Sequence, residues 1–174
     1  MDSRFILVPM AALTIVQPAQ ATTYLSIQQA QALMFPGATL TEDFRTLSDA
    51  QVAVIEKASD ANVGNKQLRA WKSSTGGWFI ADQVVGKHDY IPFVVALDDS
   101  GAVKDVEILE YREAYGGEVA NPKWRAQFSG KNRESPLKLT KDIQNISGAT
   151  LSSKHITDGV RRLIVTHALV LAAR

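Results

Sequence analysis

Between Leu68 and Glu110 the chain reads as strand after strand, and no other stretch narrows its fold as far. Leu68–Lys72, Trp78–Val85, Ile91–Leu97 and Val103–Glu110 are runs of strand length, rich in branched and aromatic residues. Ser73-Ser74-Thr75-Gly76-Gly77, Gly86-Lys87-His88-Asp89 and Asp98-Asp99-Ser100-Gly101 separate them with turn chemistry. Connections this short join neighbouring strands antiparallel. The pattern predicts a meander and an antiparallel sheet of about four or five strands. Pro92 belongs at the start of its strand or on a sheet edge, because it has no N–H for a ladder. The run from Val103 alternates imperfectly, and Val106 and Ile108 are its expected core face.

Helices flank this centre. Ser26 reads as the N-cap of a short helix to Met34, with Ile27, Ala30, Leu33 and Met34 on one face and Pro36-Gly37 as its stop. A second helix is expected from about Ser48 to Lys57, followed by a polar loop, Ser59 to Asn65. The last and most amphipathic helix is expected from Ser152 to Ala172, with Ile156, Val160, Leu163, Ile164, His167 and Leu171 in one stripe. The expected fold class is α+β, an antiparallel sheet flanked by helices. Arg161 and Arg162 argue against a membrane span in that last helix.

The first residues differ from the rest. Phe5 to Val16 is an apolar run after Arg4, and Ala19-Gln20-Ala21 offers the small residues a signal peptidase reads. Residues 1–21 are therefore expected to be a signal peptide, cut after Ala21, with a buried N-terminal helix and a retained anchor as the alternatives; the run is too short for a comfortable span of about 20 residues. The remaining divisions are a helical segment, 22–65, and a domain at 66–174.

Several function classes are argued against. A formal net charge of +1 and the absence of any recognisable motif give no case for nucleic-acid binding. With no cysteine, thiol catalysis, cysteine-held clusters and disulfides are excluded. His88, His155 and His167 are scattered, so no metal site is assigned. No acid–base pair or nucleophilic triad is visible, so no catalytic residue is assigned either.

What remains is the stretch from Ile143 to Ser153, small, hydroxyl-rich and hinged on Gly148, immediately before the amphipathic helix. Small residues let a bulky ligand approach the backbone. A helix start offers unpaired N–H groups and a positive dipole end, which suit a phosphate. Thr150 places a hydroxyl at that start.

Ser147-Gly148-Ala149-Thr150 resembles the flavinylation motif of the bacterial FMN-binding domain family. That family includes flavin-carrying subunits of the Rnf and Na+-pumping NADH:quinone oxidoreductase complexes and small exported flavoproteins. The resemblance implies that Thr150 carries FMN through a phosphoester, attached by a flavin transferase with FAD as donor. It also implies a redox role: relaying electrons between a membrane oxidoreductase, or an electron-transport complex, and an acceptor outside the cytoplasm. A covalent bond keeps the cofactor from being lost by dilution there. The family plan of an acid, a glycine turn and a short helix with Trp and Phe is matched in order by Glu113, Gly116, Gly117, Trp124 and Phe128. The expected cofactor-binding residues are Thr150, Ser147, Gly148, Ala149, Leu151, Ser152, Glu113, Tyr115, Gly116 and Trp124, with Tyr115 and Trp124 placed to pack on the ring. Trp124 and Phe128, at i,i+4, also read simply as core. One departure stands out. The family carries Asp three residues before the motif's serine, and this chain has Gln144, with Asp142 the nearest acid. If that carboxylate aids the transferase, modification here is slower or uses a variant enzyme.

Lys123, Arg125, Lys131, Arg133, Lys138 and Lys141 form a basic belt broken only by Glu134. It reads either as a solvated loop or as a field that draws in phosphates or an acidic redox partner. Two rival functions stay open: a non-redox module of the same fold that binds a small molecule or partner, and a free-standing flavin reductase.

Overall fold

A computed structural model describes residues 22–172. The expected signal peptide lies outside the described residues. In chain order the elements are β1 (Thr22–Thr23), α1 (Ile27–Met34), β2 (Leu40–Glu42), β3 (Arg45–Thr46), α2 (Asp49–Ser59), β4 (Gln67–Ser73), β5 (Trp78–Val85), β6 (Tyr90–Leu97), β7 (Val103–Ile108), β8 (Glu110–Tyr111), α3 (Pro122–Arg125) and α4 (Thr150–Thr166). The first two helices start as their sequence demands. Ser26 and Ser48 each accept from the backbone N–H three residues on, and Gln29 and Gln51 reach back to the cap, so both are full capping boxes.

The meander forms as expected, with every strand antiparallel, in the order β2-β4-β5-β6-β7; β3 also pairs with β4. Residues 22–65 hold α1 and α2, and they also supply β1, β2 and β3. Pro92 is the third residue of β6, just before the point where β7 begins to pair at Phe93, so no ladder bond is lost on that side.

The imperfect alternation after Val103 has a structural cause. The register shifts between Ala96 and Leu97, which pair with Asp105 and Val103, so Lys104 is an extra residue in β7. The bulge turns Val103 and Val106 to the same face although they are an odd number apart. Both faces of the sheet are covered. Ala30, Met34 and Phe35 pack on Trp71, Phe79, Val94 and Ala96 on one side. Ile156, Val160, Leu163 and Ile164 of α4 pack with Ile80, Phe93, Val95 and Val106 on the other. The expected core face of β7, Val106 and Ile108, is buried, and so is Leu109 on the opposite side.

The outer edge of β7 does not face solvent. Val103 exchanges two 2.8 Å backbone hydrogen bonds with Gly130 and Lys131. Arg125 is 8% exposed and pairs at 2.5 Å with Glu107, itself 9% exposed, while donating to the Val106 and Ala120 carbonyls. A charge pair plus backbone bonds satisfies groups that burial alone would penalise.

Helix α4 begins two residues before its expected start and continues past Thr166 as a π-helical turn, His167–Leu171. The expected stripe is buried throughout. Gly159 lets the helix press on the sheet: a methyl there would stand 2.8 Å from the Phe93 ring and 2.9 Å from Val84. Arg161 and Arg162 tie the helix to the end of α2 and the loop after it through the carbonyls of Ser59 (2.5 Å) and Asn62 (2.6 Å). Among the described residues no helix is long and apolar enough to cross a membrane.

Candidate functional site

The segment from Ile143 to Ala149 approaches α4 as a folded loop. Ile143 is buried, Gly148 turns the chain at φ +81°, and Ala149 is buried as the residue preceding the helix. Ala149 has no side chain able to cap, so the first-turn N–H groups of α4 lack the usual side-chain acceptor. Thr150 opens the helix and is exposed. Its Oγ1 accepts a 3.0 Å hydrogen bond from Asn145 Nδ2. The Oδ1 of the same amide lies 2.9 Å from the Ser153 hydroxyl, which is also 2.9 Å from the Ala149 carbonyl.

A second wall comes from the chain after β8. The Tyr111 hydroxyl donates to the Tyr115 carbonyl at 2.6 Å, which leaves the Ser152 hydroxyl, 2.9 Å away, to donate to the Tyr111 oxygen. Burial pushes the Tyr111 phenol above its ordinary value, so it stays a donor. Gly116 has φ +99°, and a methyl there would collide with the Tyr111 hydroxyl and lie 3.1 Å from the Ala149 Cβ and 3.2 Å from the Ser152 hydroxyl. The glycine turn therefore rests directly on the start of α4. Tyr115, 84% exposed, projects beside it.

Glu113 sits further back. Its Oε1 accepts from the backbone N–H groups of Lys87, His88 and Asp89 at 2.5, 2.6 and 3.0 Å, clamping the β5–β6 turn to this loop. Desolvation pushes its pKa up, but those three N–H donors outweigh it and hold the carboxyl below its usual range.

The floor is α3. Trp124 Nε1 donates to the Gln144 carbonyl at 2.8 Å, and Gln127 Oε1 accepts from the Gln144 N–H at 2.8 Å. Trp124 is 7% exposed and stands edge-on to Phe128 with ring centroids 5.2 Å apart. It is thus a core residue whose edge meets the motif segment, and it lines an open depression of about 440 Å³ with Glu118, Gln127, Gln144 and Ile146.

The structure brings together Ala149, Thr150, Ser152, Tyr115 and Gly116 around the start of α4. Leu151 is half-exposed next to Thr150, and Ser147 and Gly148 are exposed on its approach. Ser152 faces inward to Tyr111, so it braces the site from behind. Glu113 and Trp124 act on the supporting loops. The basic belt is not one field: Arg125 is buried against Glu107, and Lys131 pairs with Asp142 at 3.0 Å. Lys154, beside the motif, pairs with Asp158 at 2.5 Å. Among the described residues no cluster of three or more His, Asp or Glu is placed to hold a metal. Asn145 and Tyr111 received no role from sequence reasoning; a polar amide five residues before the motif threonine was the only signal for Asn145.

The comparison with known families falls on these same elements. The model of the FMN-binding domain matches residues 86–165, from the turn clamped by Glu113 to the body of α4. Residues 86–165 belong to the FMN-binding domain family. The matched FMN-binding domain is similar to one of the subunits of the Na(+)-translocating NADH-quinone reductase of Vibrio vulnificus (strain YJ016), with 36% identity over 81 residues, 42% of this chain and 30% of the relative. The same figures hold for the corresponding protein of Vibrio anguillarum. One of the subunits of the proton-translocating ferredoxin:NAD(+) oxidoreductase complex of Clostridium ljungdahlii is 31% identical over 81 residues, 42% of this chain and 44% of the relative. The chain thus spans less than half the length of each of these relatives.

Proposed function

We propose that this chain is an exported flavoprotein that carries FMN covalently on Thr150 and relays electrons between a membrane redox complex and an acceptor outside the cytoplasm. The observation that carries the reading is the exposed Thr150 hydroxyl at the start of an uncapped helix, inside the matched FMN-binding stretch. The relatives' names place them in membrane electron-transport complexes, which supports a complex as partner. The apolar run before Ala19-Gln20-Ala21 supports export, with residues 66–174 as the flavin-bearing domain.

The residues present fit such a group. The helix start offers N–H groups and a positive dipole end to a phosphate diester. A methyl built on Gly148 meets nothing within 4 Å, so the approach to Thr150 is open. Tyr115 supplies an aromatic face beside it, and the depression over Trp124 and Ile146 supplies apolar surface. Attachment forms a bond between Thr150 Oγ1 and the FMN-side phosphorus of FAD. It breaks the pyrophosphate bond to AMP, which leaves, and the hydroxyl proton passes to a base on the flavin transferase. Once bound, FMN supplies one- and two-electron chemistry, while the protein orients it.

Thr150→Val removes the hydroxyl and little else. Co-expressed with a flavin transferase, the wild-type chain is expected to gain an FMN-sized mass and keep flavin absorbance after denaturation. The variant is expected to fold and gain nothing. An FMN-sized addition in the variant, or a wild-type chain at bare polypeptide mass, would defeat the proposal; the second result favours the non-redox module.

A further inference from the structure

Resting on the attachment reading above, we infer that Asn145 is a positioning residue for the modification: its amide holds the Thr150 oxygen in place for phosphoryl transfer. The acids and amides near the motif decide this. The Gln144 side chain is exposed, and only the residue's backbone is fixed, by Trp124 and Gln127. Asp142, the nearest carboxylate, is committed elsewhere: it accepts from the N–H groups of Leu137 and Lys138 at 3.1 and 2.9 Å and pairs with Lys131 at 3.0 Å. Asn145 alone of the three has a side chain on the acceptor threonine, with Nδ2 3.0 Å from Oγ1.

The contact is built on both sides. Asn145 Oδ1 is fixed by the Ser153 hydroxyl, which is fully buried under the first turn of α4. An amide held at one end and donating from the other sets the direction of the threonine oxygen. An N–H aimed at Oγ1 uses one lone pair and leaves the hydroxyl proton pointing outward, where a transferase base can take it as the new oxygen–phosphorus bond forms. After transfer the ester oxygen is a poor acceptor, and the same N–H is available to a charged phosphate oxygen, a stronger partner. Position 145 thereby serves the acceptor before the reaction and the phosphate after it.

The test uses purified apo-protein with a flavin transferase and FAD, following mass gain with time. Asn145→Ala is expected to slow transfer at saturating FAD by about tenfold to a hundredfold, the scale of a misplaced reacting group. The KM for FAD is expected to be unchanged, since FAD binds the transferase. Asn145→Asp keeps the shape and the Ser153 hydrogen bond but has no N–H to give, and is expected to be slow as well. Melting curves matching wild type would show that neither variant acts through the fold. Transfer to either variant at the wild-type rate, with the added mass mapped to Thr150, overturns the role of Asn145 and leaves the attachment reading intact. A wild-type chain that gains no mass at Thr150 removes both.

Discussion

Two glycines beside Thr150 have positive φ for different reasons, and their substitution separates conformation from packing. Gly148, at +81°, has open space where a side chain would be. Gly148→Ala is expected to cost only the left-handed backbone penalty, about 1–2 kcal/mol. Gly116, at +99°, would also drive a methyl into the Tyr111 hydroxyl. Gly116→Ala is expected to cost more, about 2–4 kcal/mol, and to push the Tyr115 loop off α4. Chemical denaturation of both variants checks the ranking, and equal losses would mean that the Gly116 contact is soft. The turn at Gly148 and the helix start near Thr150 were legible because a glycine between small residues and an amphipathic run mark them. Asn145 was not, since nothing in a linear pattern says that an amide five residues upstream folds back onto a hydroxyl. Trp124 was legible as an alternative only: its i,i+4 partner announces a core pair, while its N–H to Gln144 depends on where the loop returns.

Among the elements, β7 shows what patterning misses. The hairpins on either side of β5 and β6 follow from turn residues and were readable. The bulge at Lys104 showed only as a broken alternation, and the burial of Leu109, just after β7, depends on packing with α1, which lies far away in the chain. The short strands β1, β2, β3 and β8 have two or three residues each, too few for any period to register. Arg125 belongs by sequence to the basic belt, yet it closes the sheet edge against Glu107. Burial pushes the Glu107 carboxyl up and the Arg125 charge opposes it. Arg125→Ala would leave that acid buried and unpaired, with an expected loss of about 3–5 kcal/mol by urea unfolding. Arg125→Met with Glu107→Leu should recover most of it, as packed apolar pairs often do.

For the molecule as a whole, acid is expected to act in two stages. Burial against Trp78 lowers the His167 pKa, and nearby Asp98 opposes this only in part. A folded-state value below the unfolded one means that the unfolded chain binds more protons as pH falls through about 6.5, so stability declines there. The carboxyls of Asp43, Asp49, Asp98, Glu113 and Asp142 are all held low in the fold, so their share is lost only in stronger acid. Thermal melts across the first window should fall for wild type and less steeply for His167→Gln; parallel curves would clear His167 of the effect. Helix α4 joins these scales. Its far end is sunk in the core beside His167, Arg161 and Arg162 moor its middle, and Thr150 is its first residue. On the proposed reading, the cofactor would hang from a fixed post and not from a swinging arm. The span over which an electron leaves the protein would then be set by the cofactor's own flexible chain, and a docking protein would have to come to the post.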